Sequence, residues 1–400
     1  MNEPLLKELH LKNLLSFGPD AEPIPLGPLN VLIGPNGSGK SNFLEAISLL
    51  RASPKNLSAP VKESGGVRDW LWKGARNPTA TIEAVICNPE RNGMPIRHAF
   101  SFMEHGERFE ITAERIENKD AHAGYDEPFY HYRNDQGHIR LKEKTQYGKT
   151  SCLEEDGEER KLPRETINPE ESVLSQVKDP ERYPSLAYLA DMYSRVRLYR
   201  EWSFGRYTSP RQPQKTDMPV KYLSETCDNL ALVLNSLRLS AEPEIISALK
   251  NLYPEVDDYH VDIAGGWIQL YLKESSFSIP ATRLSDGTLR YLCLLAILCH
   301  PDPPPLVCIE EPELGLHPDI LPTIAKLMVS ASERFQLIVT THSEILVDAL
   351  TEIPESVIVC EKHDDKTLMQ RLKSRELEEW LEKFRLGELW LKGEIGGTRW

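Results

Sequence analysis

Residues 34–41, Gly-Pro-Asn-Gly-Ser-Gly-Lys-Ser, fill the spacing G-x-x-x-x-G-K-[ST] in full. That spacing builds a phosphate cradle. The glycines let the backbone wrap close, its N–H groups point at phosphate oxygens, and a helix that follows adds its positive N-terminus. Lys40 is placed to reach the β- and γ-phosphates, and the Ser41 hydroxyl is a ligand for Mg²⁺. A second group lies in PLVCIEEPELGLHP, residues 305–318, where an apolar run ends in two adjacent carboxylates, Glu310 and Glu311. Carboxylates at the end of a buried strand are costly unless they meet cations or donors. By themselves the two acids also fit an ordinary solvated strand exit. Beside a phosphate loop, the first holds Mg²⁺ through water, and the second orients or deprotonates an attacking water. A third group is Arg283–Thr288, RLSDGT. Ser285 suits a helix N-cap, and the same hydroxyl and free N–H groups suit a γ-phosphate. The fourth is LIVTTHS, residues 337–343, which sets His342 just past an apolar run.

These groups need elements to position them. Leu29–Ile33 reads as a short buried strand, and Ser41–Arg51 as a helix with Phe43, Leu44, Ile47 and Leu50 at helical spacing. The pattern returns after Ile279. A helix is expected over Arg290–Leu298, a strand over Leu306–Ile309, a helix over Asp319–Arg334, a strand over Gln336–Thr341 and a further strand over Glu355–Glu361. Gly34, Glu310–Glu311 and His342 each follow an apolar strand, and in an open parallel sheet such ends share the edge where ligands bind. Residues 79–145 alternate instead, with two hairpins expected, turning near His105–Gly106 and at Asn134–Gly137. The acidic stretch 146–170 reads as an exposed loop. Residues 180–250 read as mostly helical, broken by a mobile loop at Ser209–Pro219. Ser374–Lys392 reads as a charged amphipathic helix with Trp390 exposed, as is Trp400 beyond it.

Composition narrows the class of protein. Over 400 residues, 47 Lys and Arg against 61 Asp and Glu give a net charge of −14. That balance disfavours coating nucleic acid through charge alone. Tyr193, Arg195, Arg197, Tyr199, Arg200 and Arg206 form the most basic and aromatic stretch. It suits a nucleic-acid backbone, and equally a solvated, partly packed helix. The seven cysteines, Cys87, Cys152, Cys227, Cys293, Cys299, Cys308 and Cys360, form no CxxC, so small buried hydrophobes in a reducing compartment are expected. The longest apolar run, Tyr291–Cys299, falls short of the ~20 residues that span a bilayer. The N-terminal MNEPLLKELHLKN has no signal-peptide core. A cytoplasmic protein without a membrane partner is expected.

In chain order, GPNGSGKS, LSDGT, CIEEPELGLHP and TTHS resemble the motifs of ABC-type ATPases. In detail they are similar to the SMC/RecF/OLD-like branch, which includes stand-alone ATPases of bacterial and phage-defence operons. The opening LHLKNLLSFG is similar to that branch's first strand and turn. The likeness covers residues 1–90 and 275–365 well and the middle loosely. It implies an α/β P-loop NTPase fold of ABC-ATPase type, with a mixed central sheet, an antiparallel β subdomain and a helical insertion. The expected division is 1–178, ATPase lobe I with the β subdomain; 179–278, a mainly helical insertion; 279–365, lobe II; and 366–400, a helical tail.

The resemblance also implies ATP and Mg²⁺ as cofactors. Nucleotide would be held by Asn36, Gly37, Ser38, Gly39, Lys40, Ser41 and Asn42 of Walker A, with Ser285 and Gly287 of the signature. The metal would be held by Ser41, Glu310 and Gln176. Glu311 would be the catalytic acid of Walker B, His342 the switch histidine and Gln176, in SVLSQ, the Q-loop glutamine that senses metal and water. Glu313–His317 resembles the D-loop. Two departures stand out: Glu310 replaces the usual Asp, and Asp286 and Thr288 stand where the family often has Gly and Gln or Glu. One copy of each motif implies an ATP-dependent homodimer with two nucleotides sandwiched between signature and Walker A. Three functions follow: an ATPase switching a separate effector, such as a nuclease, in defence or genome maintenance; a RecF-like DNA-binding ATPase; or a slow or non-hydrolysing scaffold. The net charge and the absence of a sustained heptad pattern favour the first.

Overall fold

Five short runs pair side by side in parallel, and three of them, Leu29–Ile33, Leu306–Glu310 and Gln336–Thr340, are largely apolar because a parallel strand covered on both faces has no polar side to show. They form a sheet in the computed structural model, which describes residues 3–89, 94–122, 124–135, 137–143, 158–163 and 166–397. The six-stranded sheet runs Arg197–Tyr199, Leu306–Glu310, Gln336–Thr340, Leu29–Ile33, Val357–His363, Lys366–Arg371, with only the last strand antiparallel. Side chains alternate between two cores. Val31, Ile33, Val307, Ile309, Leu337 and Val339 face one, and Leu32, Leu306, Cys308, Ile338 and Ile358 the other.

The second of these cores is closed by the helices Lys40–Ala52 and Pro184–Arg195 and by an eight-stranded antiparallel sheet. That sheet runs Ile24–Pro25, Leu6–Lys12, Ala80–Ile86, Ile96–His105, Arg108–Asn118, Tyr130–Asp135, His138–Glu143, Glu158–Leu162. Both expected hairpins are present, the first turning at Gly106 and Glu107, which take positive φ. Residues 146–157 and 164–165 of the expected acidic loop, with Cys152, lie outside the described residues, as do Gln136 in the second turn and Trp400. Within that stretch Glu158–Leu162 is a strand, not loop. It sits at the sheet edge, where charged side chains such as those of Glu159, Arg160 and Lys161 are at home because they guard the unpaired side.

The first core is closed by the helices Asp286–Leu298, Leu321–Ser332, Leu230–Leu237 and Glu242–Leu252, and by a four-stranded antiparallel sheet. Residues 179–278 are not mainly helical: beside their helices they hold the strands Gln214–Lys215, Val256–Ala264 and Trp267–Glu274, and Arg197–Tyr199 joins the six-stranded sheet. The alternation of Tyr259, Ile268, Leu270 and Leu272, all buried, is the strand signal there. Ser209–Pro219 is no free loop either: Arg211 is buried and donates to the Phe204 and Leu284 carbonyls. The tail forms two helices, Ser374–Leu381 and Leu386–Leu391, rather than one. Trp390 is buried, and its Nε1 donates to the Gly397 carbonyl at 3.0 Å. The six described cysteines are free and buried. Among the described residues no helix is long and apolar enough to cross a membrane.

Candidate nucleotide-binding site

The strand Leu29–Ile33 delivers the chain to Gly34, whose φ is +145°. A Cβ there would stand 2.1 Å from the Cys360 carbonyl oxygen of the neighbouring strand, so only glycine fits. The helix Lys40–Ala52 then starts with Gly39 at its N-cap and no side chain capping it. Its first-turn N–H groups have no partner within the helix, and with the helix dipole they make an anion site. Lys40 is 6% exposed and donates to the Gly34 and Pro35 carbonyls at 2.7 and 3.1 Å. Burial pushes its pKa below the usual lysine value, against the opposing pull of Glu310, Glu311 and Glu313. Asn36 and Gly37 are exposed at the tip of the loop, while Ser38 and Gly39 are buried. The loop is braced from behind. The Thr367 hydroxyl donates to the Ser38 carbonyl at 2.9 Å and lies 2.7 Å from the Ser16 hydroxyl. Asn42 donates to Ser16 as well, at 2.7 Å.

Register sets the acids beside this loop. Glu310 pairs with Thr340, and Thr340 with Leu32, so three strand ends are level. The Ser41 hydroxyl donates to the Glu310 carboxylate. These two hard oxygen donors, in mutual contact, suit Mg²⁺, which takes few protein ligands and completes its shell with phosphate oxygens and water. Glu311 adopts φ +47°, a strained conformation costing on the order of 1–3 kcal/mol. It is held there on both sides. Its N–H donates to the Thr340 carbonyl at 3.1 Å, and its carbonyl accepts from Arg290 at 3.1 Å. The Glu311 carboxylate thereby meets His342 Nε2 at 3.3 Å. Glu313 Oε1 accepts from the Thr341 hydroxyl and the His342 N–H, both at 2.7 Å, which fixes the histidine's backbone. Burial raises the Glu313 pKa, and those two bonds oppose the rise.

The turn before Asp286–Leu298 uses Ser285 as a cap: its hydroxyl accepts from the Thr288 N–H at 3.0 Å. Arg211 grips the Asp286 carboxylate. A Cβ on Gly287 would stand 2.7 Å from the Gly315 carbonyl oxygen, so the turn and the Glu313–Leu316 segment touch backbone to backbone. Ser285 itself is exposed.

Gln176 is not part of this cluster. It ends the short helix Val173–Gln176, where Oε1 accepts from the Asn168 N–H at 2.7 Å and Nε2 donates to the Glu171 carbonyl at 2.9 Å. Its amide is bonded to its own loop, so it does not meet Ser41 or Glu310. The side chain that does reach Glu310 is Arg200, with Nε 2.9 Å from Oε2, while its Nη1 lies 2.8 Å from Glu45 Oε1. Burial opposes the charge on Arg200, but its hydrogen bonds to Glu45 and Glu310 outweigh that and raise its pKa. Trp202 Nε1 donates to the Glu310 carbonyl at 3.1 Å, and the Arg290 guanidinium lies 5.1 Å from the Trp202 ring centre. In the sequence Arg200 shows only as a member of the basic and aromatic stretch from Tyr193 to Arg206, with no local signal that it meets Glu310. The wider basic and aromatic stretch is partly packed into the fold, with Arg206 exposed. Tyr193 and Tyr199 are buried, and Arg197 donates to the Ser194 and Val196 carbonyls.

The family model described as "AAA domain, putative AbiEii toxin, Type IV TA system" matches residues 29–348. No curated protein matches the chain. Among solved structures, the chain is similar to an SMC head bound to the C-terminal winged-helix domain of ScpA, with 15% identity and a TM-score of 0.58. That match covers 93% of this chain and 99% of the other. It is similar, too, to an SMC head with an extended coiled coil bound to the C-terminal domain of ScpA from Pyrococcus furiosus, with 14% identity and a TM-score of 0.57. There 95% of this chain and 99% of the other are covered.

Proposed function

This chain belongs to the AAA-domain family matched above and has the P-loop fold of the ABC-type ATPases; on that premise we propose that it binds ATP with Mg²⁺ and hydrolyses it. The observation that carries the reading is the meeting of two pairs, Ser41 with Glu310 and Glu311 with His342, beside the Gly34–Lys40 loop. In this reading the loop N–H groups and Lys40 hold the phosphates. Ser41 and Glu310 hold the metal, which when bound neutralises charge on the phosphate oxygens. Glu311 orients the attacking water and takes its proton, and its strained backbone aims the carboxylate. His342 contacts the γ-phosphate, aligned by Glu311 and Glu313.

The reading extends to assembly. Ser285 and Gly287 of a second copy close over the nucleotide, ATP assembles a homodimer, and hydrolysis loosens it. The switch acts on a separate effector in the cytoplasm, in anti-phage defence or genome maintenance. The family description, which names a toxin and a toxin–antitoxin system, supports an effector-coupled role. The complexes of SMC heads with ScpA domains support a protein partner. The packing of Tyr193, Arg197 and Tyr199 into the fold counts against that stretch as a DNA surface.

Glu311→Gln tests the chemistry. Phosphate release is expected to fall by about 10²- to 10⁴-fold, the usual contribution of a positioned general base, with ATP affinity within a few-fold of wild type. Equal turnover in the variant would remove Glu311 from the mechanism. Binding without turnover in the wild type would leave a nucleotide-dependent scaffold.

A further inference from the structure

Arg200 sits on the oxygens that the reading above assigns to Mg²⁺. The strand Arg197–Tyr199 pairs in parallel with the strand that ends in Glu310, Tyr199 opposite Ile309, so the next residue emerges beside the acid. Both oxygens of Glu310 are then taken: Oε1 accepts from the Ser41 hydroxyl, and Oε2 from Arg200 Nε at 2.9 Å. The ion pair is well shielded, with the Arg200 and Glu310 side chains 25% and 17% exposed. A guanidinium does not lose its proton in a protein, so this charge is permanent. A carboxylate that holds a metal ion, or the metal's water, must release a donor already bound to it. A second anion stands ready for that donor, because Arg200 Nη1 already contacts Glu45 Oε1 at 2.8 Å.

We propose that Arg200 competes with Mg²⁺ for Glu310. In the nucleotide-free chain it neutralises the carboxylate, and Mg²⁺ arriving with nucleotide displaces it towards Glu45. The consequence is that free Mg²⁺ gains little at this site, while Mg²⁺ and phosphate together gain enough to break the pair. Arg200 is thus a positioning residue that ties metal loading to nucleotide. The proposal rests on the ATP–Mg²⁺ reading of the same site.

The test is equilibrium binding of a fluorescent, non-hydrolysable ATP analogue across a series of free Mg²⁺ concentrations, starting from EDTA. Arg200→Gln is expected to reach half-maximal affinity at roughly three- to tenfold lower Mg²⁺ than wild type, the scale of one partly shielded ion pair. Glu45→Gln is expected to move the midpoint the other way, by about two- to fivefold, because Arg200 then has only Glu310 to pair with. Arg200→Lys keeps the charge and stays nearer wild type than Arg200→Gln. A midpoint for Arg200→Gln equal to or above wild type overturns the proposal, as does a fall in Glu45→Gln. If Arg200→Gln does not fold, the direction of the Glu45→Gln shift still decides. A wild type that binds no analogue at any Mg²⁺ concentration is a different result: it overturns the ATP reading itself, and with it any role for Arg200 towards the metal.

Discussion

At the scale of single residues, Lys40 shows how the fold prepares a charge for a ligand. Its ammonium is buried against the Gly34 and Pro35 carbonyls, and burial lowers its pKa below that of an ordinary lysine. Bound phosphates favour the charged form, so they raise that pKa again. The sign follows. As pH rises through the lowered pKa, nucleotide has to re-protonate Lys40, and affinity falls before a free lysine would titrate. Calorimetry at alkaline pH, in buffers of different protonation enthalpy, is expected to show proton uptake on binding. Lys40→Met is expected to show none. Proton uptake that survives in Lys40→Met would assign it to another group.

At the scale of elements, the antiparallel strand Lys366–Arg371 has a role out of proportion to its length. It returns from Val357–His363 through Asp364 and Asp365, both at positive φ, and so lays Thr367 behind the phosphate loop. Thr367 is 2% exposed, and its hydroxyl donates to the Ser38 carbonyl. Thr367→Val keeps the shape and removes the donor, leaving a buried carbonyl short of a partner at about 1–3 kcal/mol. Urea unfolding is expected to show that loss with an unchanged slope, and nucleotide affinity is expected to fall about fivefold as the loop loosens. Full affinity in a destabilised variant would mean that the strand supports the fold and not the site.

At the scale of the whole molecule, the exposed turn at Ser285 is held rigidly by its own chain through Arg211 and Gly315. A surface held in that way suits docking against a second copy. Two copies each carrying −14 repel at long range, so association should need ATP and be weakened by low salt. Light scattering of Glu311→Gln with ATP and Mg²⁺ is expected to give twice the monomer mass. Adding Ser285→Arg, which places bulk and charge on the turn, should return it to monomer with single-chain nucleotide affinity unchanged. A mass indifferent to nucleotide in both proteins would rule out the sandwich.

The sequence by itself determined the parts whose physics is local. The spacing of Gly34–Ser41 dictates a phosphate loop, and apolar runs such as Leu306–Ile309 and Gln336–Thr340 dictate buried strands with Glu310 and His342 at or after their ends. It failed where a residue's role depends on what packs against it. The mostly charged run Glu158–Leu162 is a strand because it pairs with His138–Glu143 at the sheet edge, and Trp390 is buried because Gly397 folds back onto it. The site divides in the same way. Gln176 had the right side chain and stands in the wrong place, its amide bonded to the 168–172 loop. Arg200 read as part of a basic stretch until the pairing of Tyr199 with Ile309 set it against Glu310. Contacts between residues about 110 positions apart are set by strand order, and strand order is a property of the packed sheet that no local spacing encodes.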